Sequence, residues 1–222
     1  MPCKRVELPD GGSAIVCSRG KRTASPRPDL NGIYQAAAAY RRRPTIYVDM
    51  DGVLADFVGG VLRLSESELR PEDVTDYDLY SVLGVSVAEF WKRIDQRGAL
   101  WWAELDPYPW AAYLWQMARE AGDAYVLSTP SQSPSSSSGK VMWIDRHLPQ
   151  RDRRRYILAP DKTPLARRGA ILIDDRPANC ESWRRRGGRV IPFPQPWNNW
   201  CGSAADVIEQ LRAVADEVAE ER

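Results

Sequence analysis

Histidine is almost missing from this chain: His147 is the single one in 222 residues. Nothing pairs it with a nucleophile, so it reads as structural. Cysteine is nearly as scarce, with Cys3, Cys17, Cys180 and Cys201 scattered and no C-x-x-C pair. Reduced thiols are the expectation, and a zinc site starting from Cys3 and Cys17 has few further ligands to draw on. Long apolar runs are absent too. None approaches the roughly 20 residues that span a bilayer, and the opening "MPCKRVELPDGG" lacks the apolar stretch of a secretory signal. No membrane partner is expected, and the default location is cytoplasmic. Net charge is only +1.

That small net charge hides an uneven spread. Residues 1–43 hold nine Lys/Arg against three Asp/Glu, which is +6 and leaves −5 for the remainder. The run "YRRRP" at 40–44 closes this basic segment. Clustered cations suit phosphates, so it reads either as a nucleic-acid-binding arm or as a solvated linker, with the linker favoured. Within the segment, two short alternating runs around Pro9-Asp10-Gly11-Gly12 predict a β-hairpin, followed by the connector "TASPRPDLNG". Residues 1–43 are therefore read as an N-terminal extension and 44–222 as the main domain.

From Pro44 the pattern changes. Four apolar runs, Thr45–Val48, Ala124–Leu127, Ile171–Ile173 and Arg189–Ile191, alternate with helical stretches at 111–122, 140–148 and 204–219. Gly122 reads as a helix stop. Ser203 reads as the cap of a last helix that puts Val207, Leu211, Val214 and Val218 on one face. Strands alternating with helices predict an α/β fold, a parallel sheet covered on both sides. Residues 57–110, helical in pattern and rich in Trp and Tyr, predict a small cap inserted after the first strand. "SQSPSSSSG" at 131–139 is read as a mobile loop.

The chemistry is sought where parallel sheets bind ligands, at the carboxyl ends of their strands. The first run ends in Asp49-Met50-Asp51-Gly52, the second in Ser128-Thr129-Pro130 and the third in Asp174-Asp175-Arg176. The helix starting near Lys140 can aim an ammonium at the same place. Like charges two residues apart repel, and a divalent ion between them offsets that. Hard carboxylate oxygens suit magnesium. Asp49 can then attack phosphorus to form an aspartyl-phosphate, with Asp51 as acid and then base. Ser128, Thr129 and Lys140 would bind the phosphoryl oxygens, and Gly52 would permit the tight turn. Asp174-Asp175 could instead cap a helix at Pro177, and aromatics in a cap are commonly its core. Asp56 reads as a helix cap, and Lys162 in "PDKT" as an ion-pair partner rather than a phosphate neighbour.

These residues carry a resemblance. "DMDGV", "LST", Lys140 and "IDD" are similar in order to the four motifs of the haloacid dehalogenase-like phosphatases. Over residues 45–200, "YVDMDGVLADF", "ELDPYPWA", "GKVMWIDRHL", "ILAPDKT" and "LIDDRPAN" resemble the 5′(3′)-deoxyribonucleotidases. The resemblance implies a Rossmann-like core with a helical cap, a magnesium cofactor, and hydrolysis of deoxynucleoside monophosphates, a small-molecule substrate. It makes Asp49 nucleophile and metal ligand, and Asp51 acid/base and a ligand through its carbonyl. Asp175 becomes a direct ligand, with Asp174 beside it as a ligand or one layer out. Ser128-Thr129 stands where that family usually has Thr-Ser, and the cap sequence matches poorly. Phe57, Trp101, Trp102 and Arg176 are the candidates for holding the nucleoside, by stacking and by a guanidinium on a base edge or sugar. The alternative substrates are a phosphosugar or a phosphorylated nucleic-acid end. A homodimer and nucleic acid bound through residues 1–43 are the alternative partners.

Overall fold

The computed structural model describes residues 3–7, 13–17 and 43–221. The chain divides into two compact units, residues 1–40 and 41–222. In the first, β1 (Cys3–Glu7) and β2 (Ser13–Cys17) pair antiparallel with Cys3 opposite Cys17. The turn expected at Pro9–Gly12, the connector at 23–32 and the thiols of Cys3 and Cys17 lie outside the described residues, as do Tyr40–Arg42.

The second unit carries strands β3 (Thr45–Val48), β4 (Asp123–Ser128), β5 (Tyr156–Leu158), β6 (Ala170–Asp174) and β7 (Arg189–Pro192). Its helices are α1 (Phe57–Leu64), α2 (Leu79–Val82), α3 (Val87–Gln96), α4 (Gly98–Ala103), α5 (Ala111–Ala121), α6 (Pro134–His147), α7 (Pro177–Arg185) and α8 (Ala204–Glu220). The strands form one sheet in the order β5-β4-β3-β6-β7, every neighbouring pair parallel. The chain builds outward from β3 in one direction and then, with β6, in the other. The reversal therefore falls between β3 and β6, and a crevice opens at the carboxyl ends of those two strands.

Alternation along β3 decides which layer each side chain joins. Ile46 and Val48 enter a large core with Leu114 and Trp115 of α5 and Leu211 of α8. Tyr47 faces the other way, into a smaller cluster with Leu127, Leu172 and Trp183 of α7. All five residues of β6 are buried, the run expected of a strand covered on both faces. Ser203 caps α8 as expected, its hydroxyl accepting from the Asp206 amide. Among the described residues, no helix is long and apolar enough to cross a membrane.

One sequence expectation needs correction, a second holds for a different physical reason, and one strand was not foreseen. Residues 134–139 are not a loop but the first turns of α6: Pro134 sits in its first turn, Ser133 caps it, and Ser136 and Gly139 are buried. Low complexity concealed a helix start of proline after a serine cap. Gly122 does end α5, yet its φ is −161°, extended rather than left-handed. Glycine is needed there because a Cβ would strike Ile46 and the Pro44 carbonyl. The edge strand β5 had no counterpart in the sequence reading. Arg43, last of the basic run, donates to the carbonyls of Arg119 and Glu120 at the end of α5, at 2.9 and 2.8 Å. That arginine is a helix staple.

Candidate active site

The site begins where β3 stops. The Asp49 amide makes the last ladder bond, to the Ile173 carbonyl at 2.9 Å, and its carboxylate accepts from the Met50 amide at 2.7 Å. The chain then folds back on itself. The Met50 carbonyl accepts from the amides of both Leu54 and Ala55 at 2.8 Å, and Gly52 adopts φ +78°. A Cβ at Gly52 would overlap the Asp175 carboxylate, so two demands meet at one residue: a left-handed backbone and a close approach. Asp56 then caps α1 through the Gly59 amide at 2.8 Å. The turn that presents Asp51 is also the base of the inserted helices, since Ala55 bridges both to Asp51 and to Pro107.

The crevice gathers four carboxylates and two ammonium groups. Ligand oxygens of Asp49, Asp174 and Asp175 all lie within 4.8 Å of one another, and all three residues are buried. The Lys162 ammonium, 4% exposed, sits 2.7 Å from both Asp49 and Asp174. The Lys140 ammonium, fully buried, donates to the Asp51 carboxylate and, at 3.1 Å, to the Ser128 hydroxyl. It also rests 4.6 Å from the centre of the Trp102 ring. Ionised, the six groups sum to −2.

Around the carboxylates stands a ring of donors. Trp197 Nε1 donates to Asp175 at 2.7 Å, and Asn198 Nδ2 to the Asp175 carbonyl at 2.8 Å. Asp174 accepts from the Arg176 amide at 2.9 Å and from Asn179 Nδ2 at 3.1 Å. Gln195 donates to the Gly52 carbonyl. These bonds fix the cluster without neutralising it. Burial, with Asp174 and Asp51 adding to it against the pull of Lys162, pushes the Asp49 carboxyl up to about 7. Asp175 is driven well above the usual carboxylate range by burial first, then by Asp174 and Asp49. Burial works against the Lys162 ammonium, but Asp174 and Asp49 outweigh it and hold that lysine above its ordinary value. An all-oxygen cluster whose carboxyls burial and mutual repulsion push toward protonation fits a hard divalent cation, which would hold them ionised.

Over the cluster lies a cavity of about 390 Å³. Asp51, Gly52, Asp175 and Thr129 border it from the strand ends, and Phe57, Phe90, Trp91 and Trp102 from the inserted helices. Larger hollows exist, one of about 780 Å³ among Arg146, Arg151, Arg153 and Arg154, but these line no strand carboxyl end. Trp102, 1% exposed, is a wall stacked on Phe57 at 5.5 Å. Trp101, expected at the nucleoside, instead packs edge-on behind Phe57 at 5.8 Å and lines a separate hollow with Gly60 and Glu104. Arg176 reaches the cavity, with its guanidinium 4.9 Å from the ring centre of Tyr77. His147 tilts against Trp143 at 4.7 Å, away from these groups.

Asp49, Asp51, Ser128, Thr129, Lys140, Asp174, Asp175, Phe57, Trp102 and Arg176 thus converge on one crevice, and Trp101 does not. Trp197, Asn198 and Tyr77 were not among the sequence candidates, whereas Lys162, read there as an ion-pair partner, makes that pair with Asp49 and Asp174. Lys162 had a legible signal: "YILAPDK" is a short strand followed by a lysine, and β5 delivers it to the same sheet end.

The family model "5′ nucleotidase, deoxy (Pyrimidine), cytosolic type C protein" matches residues 43–213. A mouse protein named 5′(3′)-deoxyribonucleotidase, mitochondrial, is 30% identical over 156 residues, covering 64% of this chain and 69% of its own. The human protein of the same name is 29% identical over 145 residues, covering 60% and 62%. Among solved structures, a haloacid dehalogenase-like family hydrolase from Xanthomonas campestris superposes with a TM-score of 0.51 at 10% identity, over 82% of this chain and 95% of that one. That last likeness concerns the fold alone. Strand-end carboxylates, their lysines and the matched span agree: the chain belongs to the cytosolic type C deoxy-5′-nucleotidase family, phosphatases with a haloacid dehalogenase-like core.

Proposed function

We propose that this protein is a magnesium-dependent phosphomonoesterase that hydrolyses deoxynucleoside monophosphates through an aspartyl-phosphate on Asp49. The observation that carries the reading is a buried cluster of three carboxyls, Asp49, Asp174 and Asp175, with Lys162 set against it and Lys140 of α6 bonded to the neighbouring Asp51. Asp49, Asp175 and the Asp51 carbonyl would hold magnesium, with Asp174 steadying the group through Lys162. Bound there, the ion neutralises the carboxylates and polarises the phosphoryl group.

The remaining work falls to the chain's own residues. Ser128, Thr129 and Lys140 receive the phosphate oxygens, where negative charge concentrates in transfer. Lys140 is shared between Asp51 and Ser128. An arriving phosphate draws that ammonium toward itself and loosens its hold on Asp51. The Asp49 carboxylate oxygen bonds to phosphorus as the ester P–O bond breaks, and Asp51 gives a proton to the departing alkoxide. Asp51, now basic, takes a proton from the water that attacks phosphorus. Phosphate leaves and Asp49 is restored. Lys162, held to Asp174, keeps the Asp49 carboxylate oriented throughout.

The substrate assignment draws on the cavity walls and on the names of the relatives. Phe57 and Trp91 flank the space above Asp51, and aromatic faces add about 1–3 kcal/mol per stacked base. The helices of residues 57–110 act in this reading as the cap that selects the nucleoside. The test is phosphate release from the eight common deoxy- and ribonucleoside monophosphates, with and without magnesium. Metal-dependent release from one or a few deoxynucleotides is expected. Release from p-nitrophenyl phosphate alone, or from a phosphosugar in preference, would remove the nucleotide from the account.

A further inference from the structure

Helix α6 works on two faces. Lys140 points inward to the crevice and is fully buried. Successive helical residues turn through about 100°, so Val141, Met142, Asp145 and Arg146 lie about 100–240° round the axis from it, on the outer face. That face borders the hollow of about 780 Å³, whose other side is the chain from Gln150 to Tyr156 at the start of β5. Four guanidiniums line it, those of Arg146, Arg151, Arg153 and Arg154, against one carboxylate, Asp145. They stand out in a domain, residues 44–222, that carries −5 as a whole.

Little in the fold uses these cations. Arg153 pairs with Asp145 at 3.3 Å. Arg146 Nη1 donates to the Ala103 carbonyl at 3.0 Å and keeps its other donors. Arg151, 82% exposed, comes only within 3.9 Å of Asp152, a carboxylate already bonded to Trp115 and Arg119. Arg154 is exposed and has no bonding partner among the described residues. Like charges crowded round a concavity repel, and an anion of several charges relieves that. Arginine forks take phosphate oxygens two at a time. Beside them lie exposed Met142 and half-buried Tyr156, an apolar surface on which a flat organic group can rest. The hollow has the volume of a small-molecule site. A nucleic acid asks for a longer cationic track, and the neighbouring Arg119 and Arg155 are already bonded to Asp152 and Asp123.

We infer that this hollow is a second ligand site, which takes an organic triphosphate of the nucleoside triphosphate class: Arg146, Arg151 and Arg154 hold the phosphates, and Tyr156 and Met142 the organic end. The site lies on the far face of α6 from the crevice, and its occupant is bound without any bond being made or broken. The inference stands apart from the phosphatase reading.

The experiment is calorimetric titration of the full chain, with magnesium, by adenosine 5′-(β,γ-imido)triphosphate, which resists hydrolysis. Wild type should bind it. Reversing two exposed charges together, Arg151→Glu with Arg154→Glu, should raise the Kd about tenfold or more. The same variant should keep its melting temperature and its phosphomonoester turnover. Lys140→Met, or Ser128→Ala should that variant fail to fold, alters the crevice and should leave the Kd within about twofold of wild type. Inorganic triphosphate should bind several-fold more weakly than the nucleotide, because it offers nothing to Tyr156 and Met142. No binding, binding lost in the crevice variant but kept in the charge reversal, or equal affinity for inorganic triphosphate would each overturn the inference. A short oligodeoxythymidylate that binds more tightly through the same two arginines would overturn it in favour of a nucleic-acid surface.

Discussion

Replacing Asp49 by Asn should abolish turnover and yet, in metal-free protein, favour the folded state as pH rises. The Asp49 carboxyl titrates near 7 in the fold, against an ordinary value of 3.8. Between those two values the folded protein retains a proton that the unfolded chain has released. Stability therefore falls as pH climbs through that window, and a residue that cannot ionise escapes the loss. Three pH units at about 1.4 kcal/mol each cap the effect at about 4 kcal/mol. Asn forfeits the ion pair with Lys162, which exists only once Asp49 ionises, and leaves that lysine its bond to Asp174. The assay is urea unfolding in chelator at pH 5 and pH 8. The difference between the two proteins should shift toward the variant by about 2 kcal/mol over that range. Magnesium should then shrink the difference by stabilising wild type, because it binds the folded state. A difference that stays constant with pH, or moves the other way, would refute the claim that buried like charge raises this carboxyl.

Other variants probe the same cluster from different sides. Lys162→Met removes the ammonium shared by Asp49 and Asp174; unfolding free energy should drop by about 3–5 kcal/mol in chelator and kcat by about a hundredfold or more. Trp197→Phe deletes the N–H that orients the Asp175 carboxylate. The magnesium concentration for half-maximal activity should rise about tenfold or more, with kcat at saturating magnesium close to wild type. Gly52→Ala places a Cβ at φ +78° and against Asp175. Thermal melts should show a loss of about 1–2 kcal/mol from the backbone alone, and activity should fall further because Asp51 is displaced.

Most of the architecture was legible in the amino-acid pattern, for identifiable reasons. Inner strands carry the apolar runs, so β3, β4 and β6 and the residues just past them stood out, and the edge strand β7 showed through Val190 and Ile191. The edge strand β5 did not, because its three residues are half-buried and follow four arginines and an aspartate. With no strand before "PDK", nothing marked Lys162 as a strand-end residue, although its reading as an ion-pair partner agrees with its bonds to Asp49 and Asp174. Trp197 and Asn198 were hidden differently. They arrive from a loop beyond β7, and only the folded chain brings them to Asp175. Trp101 and Trp102 show the limit of composition. Neighbouring tryptophans on a short helix point apart, one into the cavity wall and one behind it, and a sequence count cannot tell which is which. The serine-rich stretch misled because its residues lack an apolar periodicity, though a proline after a serine cap was there to read.

Asp49 as the phosphoryl acceptor is the claim on which the rest depends, and borohydride trapping during turnover of a deoxynucleoside monophosphate addresses it directly. An acyl phosphate is reduced to an alcohol, so peptide mass spectrometry should find homoserine at position 49, in amounts that require both magnesium and substrate. Homoserine at another aspartate, or none at all while phosphate release continues, would contradict the account.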